Sequence, residues 1–361
     1  MFPRVKLEAP ANNLYSAKVA IKNGADMIYA GIKGWSVRPN IFEMEKEEFE
    51  AVIKLVKKHN KEILLVMNCF YGSKELDKAL KLIEEMSGKG LSGVIVSQPA
   101  LAREIKTKFK GLTVHISVQS SASNSKELEF YKSLGIDGVV FARNTIESNP
   151  ENIQRLSNYG VKIGVFIVGD DIANYDGKCY LSSYLNHKLI NDGTERYSCA
   201  IGSANKSGYC FLMCKRKCRL LKDGKIQGDG YYLRRQDLAL FNKTKELVSS
   251  GVSILKIQGR EWPVPLVARL VRYMRLALDS LEDEAKYQKA INQLSKLVRI
   301  KQQIQANHLW LLSKSKFRIW LALRKHLQRP WDNLETLLWL YAPFFEKMRW
   351  RKFQKENLIL N

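Results

Sequence analysis

The stretch LYSAKVAIKNGADMIYAG, residues 14–31, contains a unit that recurs along the chain: a helix, a tight turn and a strand. The sequence predicts a helix from about Leu14 to Asn23 and a strand from Asp26 to Ala30. Between them, Gly24 suits the left-handed conformation that commonly ends a helix. The strand is a continuous apolar run rather than an alternating one, which is typical of a parallel sheet buried on both faces.

The same kind of joint recurs at Gly135 and Gly160. Apolar runs predict seven further strands, at 5–8, 62–67, 93–96, 112–118, 138–141, 161–168 and 254–258. Helical patterns lie between or after them, at 45–60, 74–86, 99–109, 126–134, 150–159 and 264–281. Strands alternating with helices of this length favour a parallel α/β fold.

Eight strands within the first three-quarters of the chain favour a (β/α)8, TIM-barrel-like domain over an open doubly wound sheet. No GxGxxG or GxxxxGK[ST] motif follows the first strand, which disfavours a nucleotide-binding fold. We therefore predict a barrel domain over residues 1–282. It includes a Cys-rich loop, residues 169–235, after the seventh strand, and a basic helical extension follows over residues 283–361.

Charge is concentrated in that extension. The 361-residue chain has a formal net charge of +23, and residues 285–361 contain 16 Lys or Arg against 4 Asp or Glu. Five of the seven tryptophans lie there: Trp310, Trp320, Trp331, Trp339 and Trp350. Such a segment favours contact with a polyanion such as RNA. The alternatives are a solvated basic tail and a helical cap that packs its tryptophans on the barrel.

Apolar patterning argues against a membrane protein. No run of about 18 apolar residues is present, so we expect no transmembrane segment. The first residues, Met1 to Arg4, lack the apolar stretch of a secretory signal. A cytoplasmic location is the expectation.

Familiar hydrolase signatures are missing. The sequence contains no HExxH zinc motif and no GxSxG nucleophile elbow. A thiol nucleophile needs a nearby base, and Cys179 with His187 or His115 is the pairing that the sequence offers. The clustering of five cysteines in this part of the sequence favours metal binding over this pairing.

Cys179, Cys199, Cys210, Cys214 and Cys218 lie within 40 residues, whereas Cys69 stands alone. On a helix, the four-residue spacing from Cys210 through Cys214 to Cys218 would place three sulfurs on one face. Four thiolates hold an iron–sulfur cluster, which we predict to be of the 4Fe-4S type, and they also suit zinc. Reduced cysteines without a ligand are the third interpretation.

Four basic residues follow predicted strand ends: Arg38, Arg143, Lys256 and Arg260. Because active sites of such barrels lie at the carboxyl ends of the strands, these side chains are candidate substrate ligands. Their cationic groups would clamp a carboxylate or a phosphate. Ordinary ion pairs between loops are the alternative.

An ordered set of short motifs resembles the collagenase-like peptidase family U32. The matching pieces are Leu7 to Leu14, Gly24 to Gly31, Val114 to Gln119, Val140 to Arg143, Tyr175 to Tyr184 and Leu255 to Arg260. The resemblance implies a barrel-like catalytic domain. It also implies an iron–sulfur protein of oxygen-independent hydroxylation, acting on RNA or on a quinone-type small molecule, with prephenate as the oxygen source.

The resemblance implies Cys179, Cys214 and Cys218 as cluster ligands, and Cys210, or Cys199 instead, would complete four thiolates. Family positions for an acidic residue, a histidine and two cysteines are occupied here by Gly164, Val168, Ile172 and Ala239. These replacements indicate a divergent member. An enzyme is the favoured interpretation, and the alternatives are a collagenase-like peptidase and a non-catalytic partner subunit of an active paralogue.

Overall fold

The computed structural model describes residues 2–38, 42–142, 150–170, 176–177, 189–190, 198–199, 218–230 and 238–313. Its strands are β1 (Lys6–Pro10), β2 (Met27–Ala30), β3 (Glu62–Met67), β4 (Gly93–Val96), β5 (Thr113–Ile116), β6 (Gly138–Val140), β7 (Lys162–Gly169), β8 (Leu189–Ile190), β9 (Ser198–Cys199), β10 (Cys218–Lys222), β11 (Lys225–Gly230), β12 (Leu238–Ala239) and β13 (Ile254–Ile257). Its α-helices are α1 (Leu14–Lys22), α2 (Lys46–Lys58), α3 (Ser73–Lys89), α4 (Pro99–Lys108), α5 (Ser125–Ser133), α6 (Pro150–Ser157), α7 (Thr244–Ser249), α8 (Val264–Asp279) and α9 (Glu284–Ser313).

Eight parallel strands close into a barrel. Strands β1 to β7 pair in chain order, β7 pairs with β13, and β13 returns to β1. The predicted TIM-barrel-like fold is confirmed, and the eight strands lie close to their predicted positions. Alternate residues of each strand face inwards and outwards. Ile28, Leu65 and Val94 pack outwards in the main core with the helices, whereas Tyr29 and Ile95 belong to a separate cluster of inward-facing residues.

Glycines at the helix-to-strand joints adopt the predicted left-handed conformation. Gly24, Gly135 and Gly160 have φ angles of +100°, +76° and +74°. At Gly24 space is also short, because a Cβ atom there would lie 2.5 Å from Cγ of Arg275. The turn therefore needs glycine both for its backbone angle and for close packing against α8.

Short antiparallel pairings occur in the described parts of the chain between β7 and α7. Strand β8 pairs with β9, β10 pairs with β11, and β12 adds to the edge of β7. Cys218 begins strand β10, so it cannot share one helix with Cys210 and Cys214 as their spacing suggested. The Asp223-Gly224 turn, with φ angles of 52° and 73°, explains the difference, because two positive φ angles favour a tight hairpin.

Helix α9 packs on the barrel domain. Its buried apolar residues join the main core beside α8, and they are Tyr287, Ala290, Ile291, Leu294, Leu297 and Val298. The first part of the basic extension therefore belongs to the packed fold, as in the cap alternative. The domain boundary after residue 282 stays a prediction, and residues 314–361 lie outside the described residues.

This packing predicts that α9 contributes to barrel stability. Leu294 is fully buried, whereas Asn292 on the same helix is exposed. We expect Leu294→Ala to lower the free energy of unfolding by about 2–5 kcal/mol, because it removes buried methyl groups and leaves a cavity. Asn292→Ala should change it by less than about 0.5 kcal/mol. Urea unfolding followed by circular dichroism tests both, and equal effects would mean that α9 is not part of the core.

Candidate functional site

A cavity opens at the carboxyl ends of the barrel strands. Apolar and aromatic side chains form part of its wall, namely Tyr29, Val37, Val66, Ile95, Val118, Val140 and Phe166. The polar side chains are Arg38, Asn68, Ser117, Gln119, Lys256, Gln258 and Arg260. The described lining residues include three cations and several amides but no carboxylate, which suits the cavity to an anion.

A buried ion pair lies inside the barrel below the cavity. Glu8 of β1 and Lys256 of β13 are register partners on neighbouring strands, so their side chains point the same way. Their exposed fractions are 0% and 3%, and Nζ of Lys256 contacts Oε1 of Glu8. Burial lowers the pKa of Lys256, while the nearby Glu8 carboxylate opposes that shift.

Aromatic rings flank the Lys256 amine. Its Nζ lies 4.3 Å from the ring centre of Tyr29 and 5.7 Å from that of Phe166. The Tyr29 hydroxyl donates a hydrogen bond of 2.9 Å to the carbonyl oxygen of Ile257, which fixes the ring. The amine therefore has a defined position between two rings, beside one carboxylate.

A second buried ion pair holds Arg260 at the cavity. Its Nη1 lies 3.0 Å from Oε1 of Glu43 and 3.4 Å from Oγ of Ser36. Gly31 makes this contact possible, because a Cβ atom there would lie 2.0 Å from Oε1 of Glu43. Burial raises the pKa of Glu43 to about 7, and the Arg260 guanidinium opposes that rise.

Three of the four predicted substrate ligands lie at this cavity. Arg38 lies at its rim, where Nη1 is 2.5 Å from Oε1 of Glu261. Lys256 and Arg260 lie deeper, and Arg143 is outside the described residues. The loop ion pairs of the alternative interpretation are thus present as well, and a substrate-binding role stays a prediction.

The uncharged polar groups of the cavity were not predicted from the sequence. Asn68, Ser117 and Gln258 each directly follow a barrel strand, a position that would have identified them. Nδ2 of Asn68 donates to Oγ of Ser117 over 3.4 Å, and its Oδ1 accepts from the backbone N–H of Val37. These contacts hold the ends of β3 and β5 and the loop after β2 in one arrangement.

Gln258 connects the cavity to α9. Its Oε1 accepts from the backbone N–H of Asp170 over 3.1 Å, and its Nε2 donates to Oδ2 of Asp170 over 3.2 Å. Lys301 of α9, 1% exposed, places Nζ 2.6 Å from Oδ1 of Asp170 and donates to the carbonyl oxygen of Gly169. Trp262 covers the same amine at 4.7 Å. Helix α9 therefore fixes the end of β7 at the cavity.

The segment that precedes Cys179 contacts the barrel mouth. Oγ of Ser121 donates to the carbonyl oxygen of Asp176. Gly177 has a φ of +74°, and a Cβ atom there would lie 2.0 Å from the carbonyl oxygen of Gln119, a cavity residue. Only glycine fits this contact, so the chain enters the Cys-rich region at the edge of the cavity.

His115 lies in the barrel interior beside Gly138, whose missing Cβ makes room for the ring. Burial, and then the charge of Lys256, lower the pKa of His115 to about 3. Its Nδ1 has no hydrogen-bond partner among the described residues. A neutral, enclosed imidazole is thus what the structure offers; Cys179 and His187 lie outside the described residues, so the predicted thiol–histidine pair stays untested.

The predicted metal ligands fall mainly outside the described residues. Cys179, Cys210 and Cys214 are not described, while Cys199 and Cys218 lie in β9 and β10 without described side chains. The residues that are described contain no group of three potential metal ligands. Cys69 is fully buried in the main core. The ligand set therefore stays a prediction.

Two of the positions at which this sequence departs from the family pattern are neighbours in space. Val168 in β7 and Ala239 in β12 are register partners, and Val168 is fully buried in the main core. A histidine and a cysteine predicted by the resemblance are thus replaced together by an apolar pair. This edge of the barrel uses packing in place of polar side chains.

The comparison with protein families agrees with the motif resemblance, because peptidase family U32 matches residues 12–319. The chain belongs to peptidase family U32. The match continues through α9, beyond the motifs that indicated it. The described residues contain no helix that is both long and apolar enough to cross a membrane.

Three relatives illustrate the range of named activities in the family. The tRNA hydroxylation protein P1 of Bacillus subtilis (strain 168) is 28% identical over 76% of this chain and 63% of its own length. An uncharacterized protease of Methanocaldococcus jannaschii is 30% identical over 80% of this chain and 69% of its own length. The 23S rRNA 5-hydroxycytidine synthase of Escherichia coli (strain K12) is 25% identical over 78% of this chain and 40% of its own length. The chain thus spans less than two thirds of the Bacillus relative.

The raised pKa of Glu43 predicts a pH dependence of stability. Because the folded carboxyl binds its proton more tightly than the unfolded one, stability is lost as the pH rises from about 4.5 to about 7. Over that window the free energy of unfolding of the wild type should fall by on the order of 2–3 kcal/mol relative to Glu43→Gln, which does not titrate.

Urea unfolding at stepped pH measures this difference. The exposed Glu47→Gln is the matched control and should follow the wild type. The mechanism is excluded if the wild type and Glu43→Gln run parallel across this window.

Proposed function

We propose that this protein is an iron–sulfur-dependent hydroxylation protein that modifies RNA without molecular oxygen. The observation that carries the proposal is the cation-lined cavity of a U32 barrel, with the chain entering the Cys-rich region at its edge. A cavity for an anionic co-substrate would thus lie next to a redox centre. This chain spans only part of the length of the relatives named for RNA hydroxylation, so its sharing their activity is itself part of the proposal.

The short distance along the chain from Gly177 to Cys179 supports a thiolate near the cavity. Cys179 follows Gly177 by two residues, so their Cα atoms lie within about 7 Å of each other. Gly177 itself contacts the carbonyl oxygen of Gln119 at the cavity. This short distance supports the proposal that Cys179 lies near the barrel mouth.

Thiolate chemistry fits the cofactor. We propose Cys179, Cys214 and Cys218 as ligands, with Cys210, or Cys199 instead, as the fourth, because four thiolates hold a 4Fe-4S cluster. The nearby basic residues Lys215, Arg216 and Lys217 would offset the negative charge of such a site. When bound, a cluster supplies one-electron chemistry that side chains lack. Zinc is the alternative occupant.

RNA is the substrate class that the relatives favour. The Bacillus and Escherichia relatives are named for tRNA hydroxylation and for an rRNA hydroxycytidine. The net charge of +23 would attract a phosphate backbone. The β10–β11 hairpin presents the exposed basic residues Arg219, Lys222 and Lys225, which suit such a contact. A quinone-type small molecule would not need this charge.

Peptidase activity is the second candidate, because the Methanocaldococcus relative is named a protease. The described lining residues of the cavity include no histidine and no cysteine, so they offer no thiol–histidine pair of the kind that a cysteine peptidase uses. A non-catalytic partner subunit is the third candidate, suggested by the apolar pair Val168 and Ala239.

Metal analysis tests the cofactor. Protein purified without oxygen should contain iron and sulfide, with visible absorbance near about 400 nm. Cys179→Ser, Cys214→Ser and Cys218→Ser should each lose the iron, since one missing thiolate leaves a site incomplete. Cys69→Ser is the control and should keep it. Zinc in place of iron, or iron retained by all three variants, would contradict the proposal.

A glycine pair tests whether the cavity and the cluster are neighbours. Gly177→Ala should lower the iron content at least about threefold, because its Cβ would displace the segment from Gln119. Gly224→Ala is the matched control, since it has nearly the same φ, +73°, and nothing lies within 4 Å of the added atom. Equal iron in both variants would separate the cluster from the cavity.

Nucleoside profiling tests the substrate. RNA from a strain that lacks this gene should lose a hydroxylated pyrimidine, detected by mass spectrometry of digested tRNA and rRNA. The wild-type gene should restore it, and the Cys214→Ser gene should not, because the cluster is incomplete. An unchanged nucleoside profile in the deletion strain would refute RNA modification.

A further inference from the structure

The amine of Lys256 differs from the other cations of the cavity. Arg260 is paired with Glu43 and Ser36, and Arg38 is paired with Glu261 at the rim. Lys256 instead lies at the inner end of the cavity, and its contacts are one carboxylate and two ring faces. Among the described residues its Nζ has no further hydrogen-bond acceptor.

Glu8 has equally few partners. Neither of its carboxylate oxygens accepts a hydrogen bond of good geometry from a described residue, although the carboxylate is completely buried. Buried carboxylates normally collect several donors. An amine and a carboxylate that face each other without further partners form an acid–base pair ready for proton transfer.

We propose that Lys256 is a catalytic residue that forms an imine with the carbonyl group of a small 2-oxo acid bound in this cavity. The guanidinium groups of Arg260 and Arg38 would hold the carboxylate of that acid. The inference goes beyond RNA hydroxylation and does not depend on it, since it needs neither a cluster nor RNA.

The step balances with the groups present. Glu8 takes one proton from the ammonium, and the neutral amine attacks the carbonyl carbon, so that a C–N bond forms. The resulting carbinolamine loses its oxygen as water after Glu8 returns a proton to it. The product is the protonated imine, and no oxidant or reductant is consumed.

The surroundings favour an amine that can react. Burial lowers the pKa of Lys256, and the charge of Arg260 acts in the same direction. Desolvation and a neighbouring cation are the usual means by which proteins activate a lysine. The Tyr29 ring lies against both groups, 4.3 Å from Nζ of Lys256 and 5.7 Å from Cζ of Arg260. A carbonyl and an adjoining carboxylate would therefore meet complementary groups on one side of the cavity.

A purely structural ion pair is the competing explanation. Glu8 and Lys256 join β1 to β13, and such a pair could serve only to fix that register. A structural pair, however, does not make the amine accessible to a ligand, whereas Lys256 lines the cavity. Trapping the imine distinguishes the two explanations.

Reductive trapping is the experiment. The full-length protein is treated with pyruvate and cyanoborohydride, then digested and mapped by mass spectrometry. We expect one carboxyethyl group per chain, located on Lys256. Acetone, which has the carbonyl but no carboxylate, should label Lys256 at least about tenfold less at equal concentration, because a lost charge-assisted contact costs that much or more. Labelling spread over surface lysines, or equal labelling by acetone, would overturn the proposal.

Variants add a second readout. Lys256→Arg keeps the charge opposite Glu8 but cannot form an imine, so the label should disappear while the circular dichroism spectrum is kept. Lys162→Arg, an exposed lysine of β7, is the matched control and should leave the label on Lys256 unchanged. Arg38→Gln should raise the pyruvate concentration for half-labelling about tenfold. Mapping of the wild type decides the matter even if Lys256→Arg fails to fold.

Discussion

The pairing of β13 with β1 is the constraint on which the rest of the structure depends. It closes the barrel by joining strands that are almost 250 residues apart, with Lys6 opposite Ile254 and Glu8 opposite Lys256. A shift of β13 by one residue would turn Lys256 out of the barrel and leave the buried Glu8 carboxylate without its partner. The same register places the ends of these strands, with Arg260 and Gln258, at the cavity. Closure of the fold and assembly of the site are thus one event.

Much of the barrel was predictable because its signals are local. The apolar run at residues 62–67 and the glycine joints at Gly24, Gly135 and Gly160 act within a few residues, and the structure has them as predicted. Arg260 and Lys256 could be placed at the carboxyl face, since they follow or end a strand. Their partners could not be predicted, because Glu43 and Glu8 lie far away in sequence and meet them only through closure. The hairpin at Asp223-Gly224 had a recognisable turn signal that the cysteine spacing obscured.

Strands β7 and β12 meet through an apolar pair at two positions where the resemblance implies polar residues. Val168 and Ala239 are register partners across the two strands, so a polar group at one position would face an apolar residue at the other. An unpaired polar group left in that buried position would cost free energy. The two replacements that the resemblance implies, at Val168 and Ala239, together form one apolar contact.

The Lys301–Asp170–Gln258 contacts have a thermodynamic consequence. A ligand that alters the hydrogen bonds of Gln258 in the cavity also alters the free energy with which Lys301 holds α9 against β7. Linkage requires the reverse with equal magnitude, so that a change in how α9 packs on β7 would alter the affinity of the cavity for a ligand. The packing of α9 on the outside of the barrel and the ligand affinity of the cavity inside it are thus thermodynamically coupled.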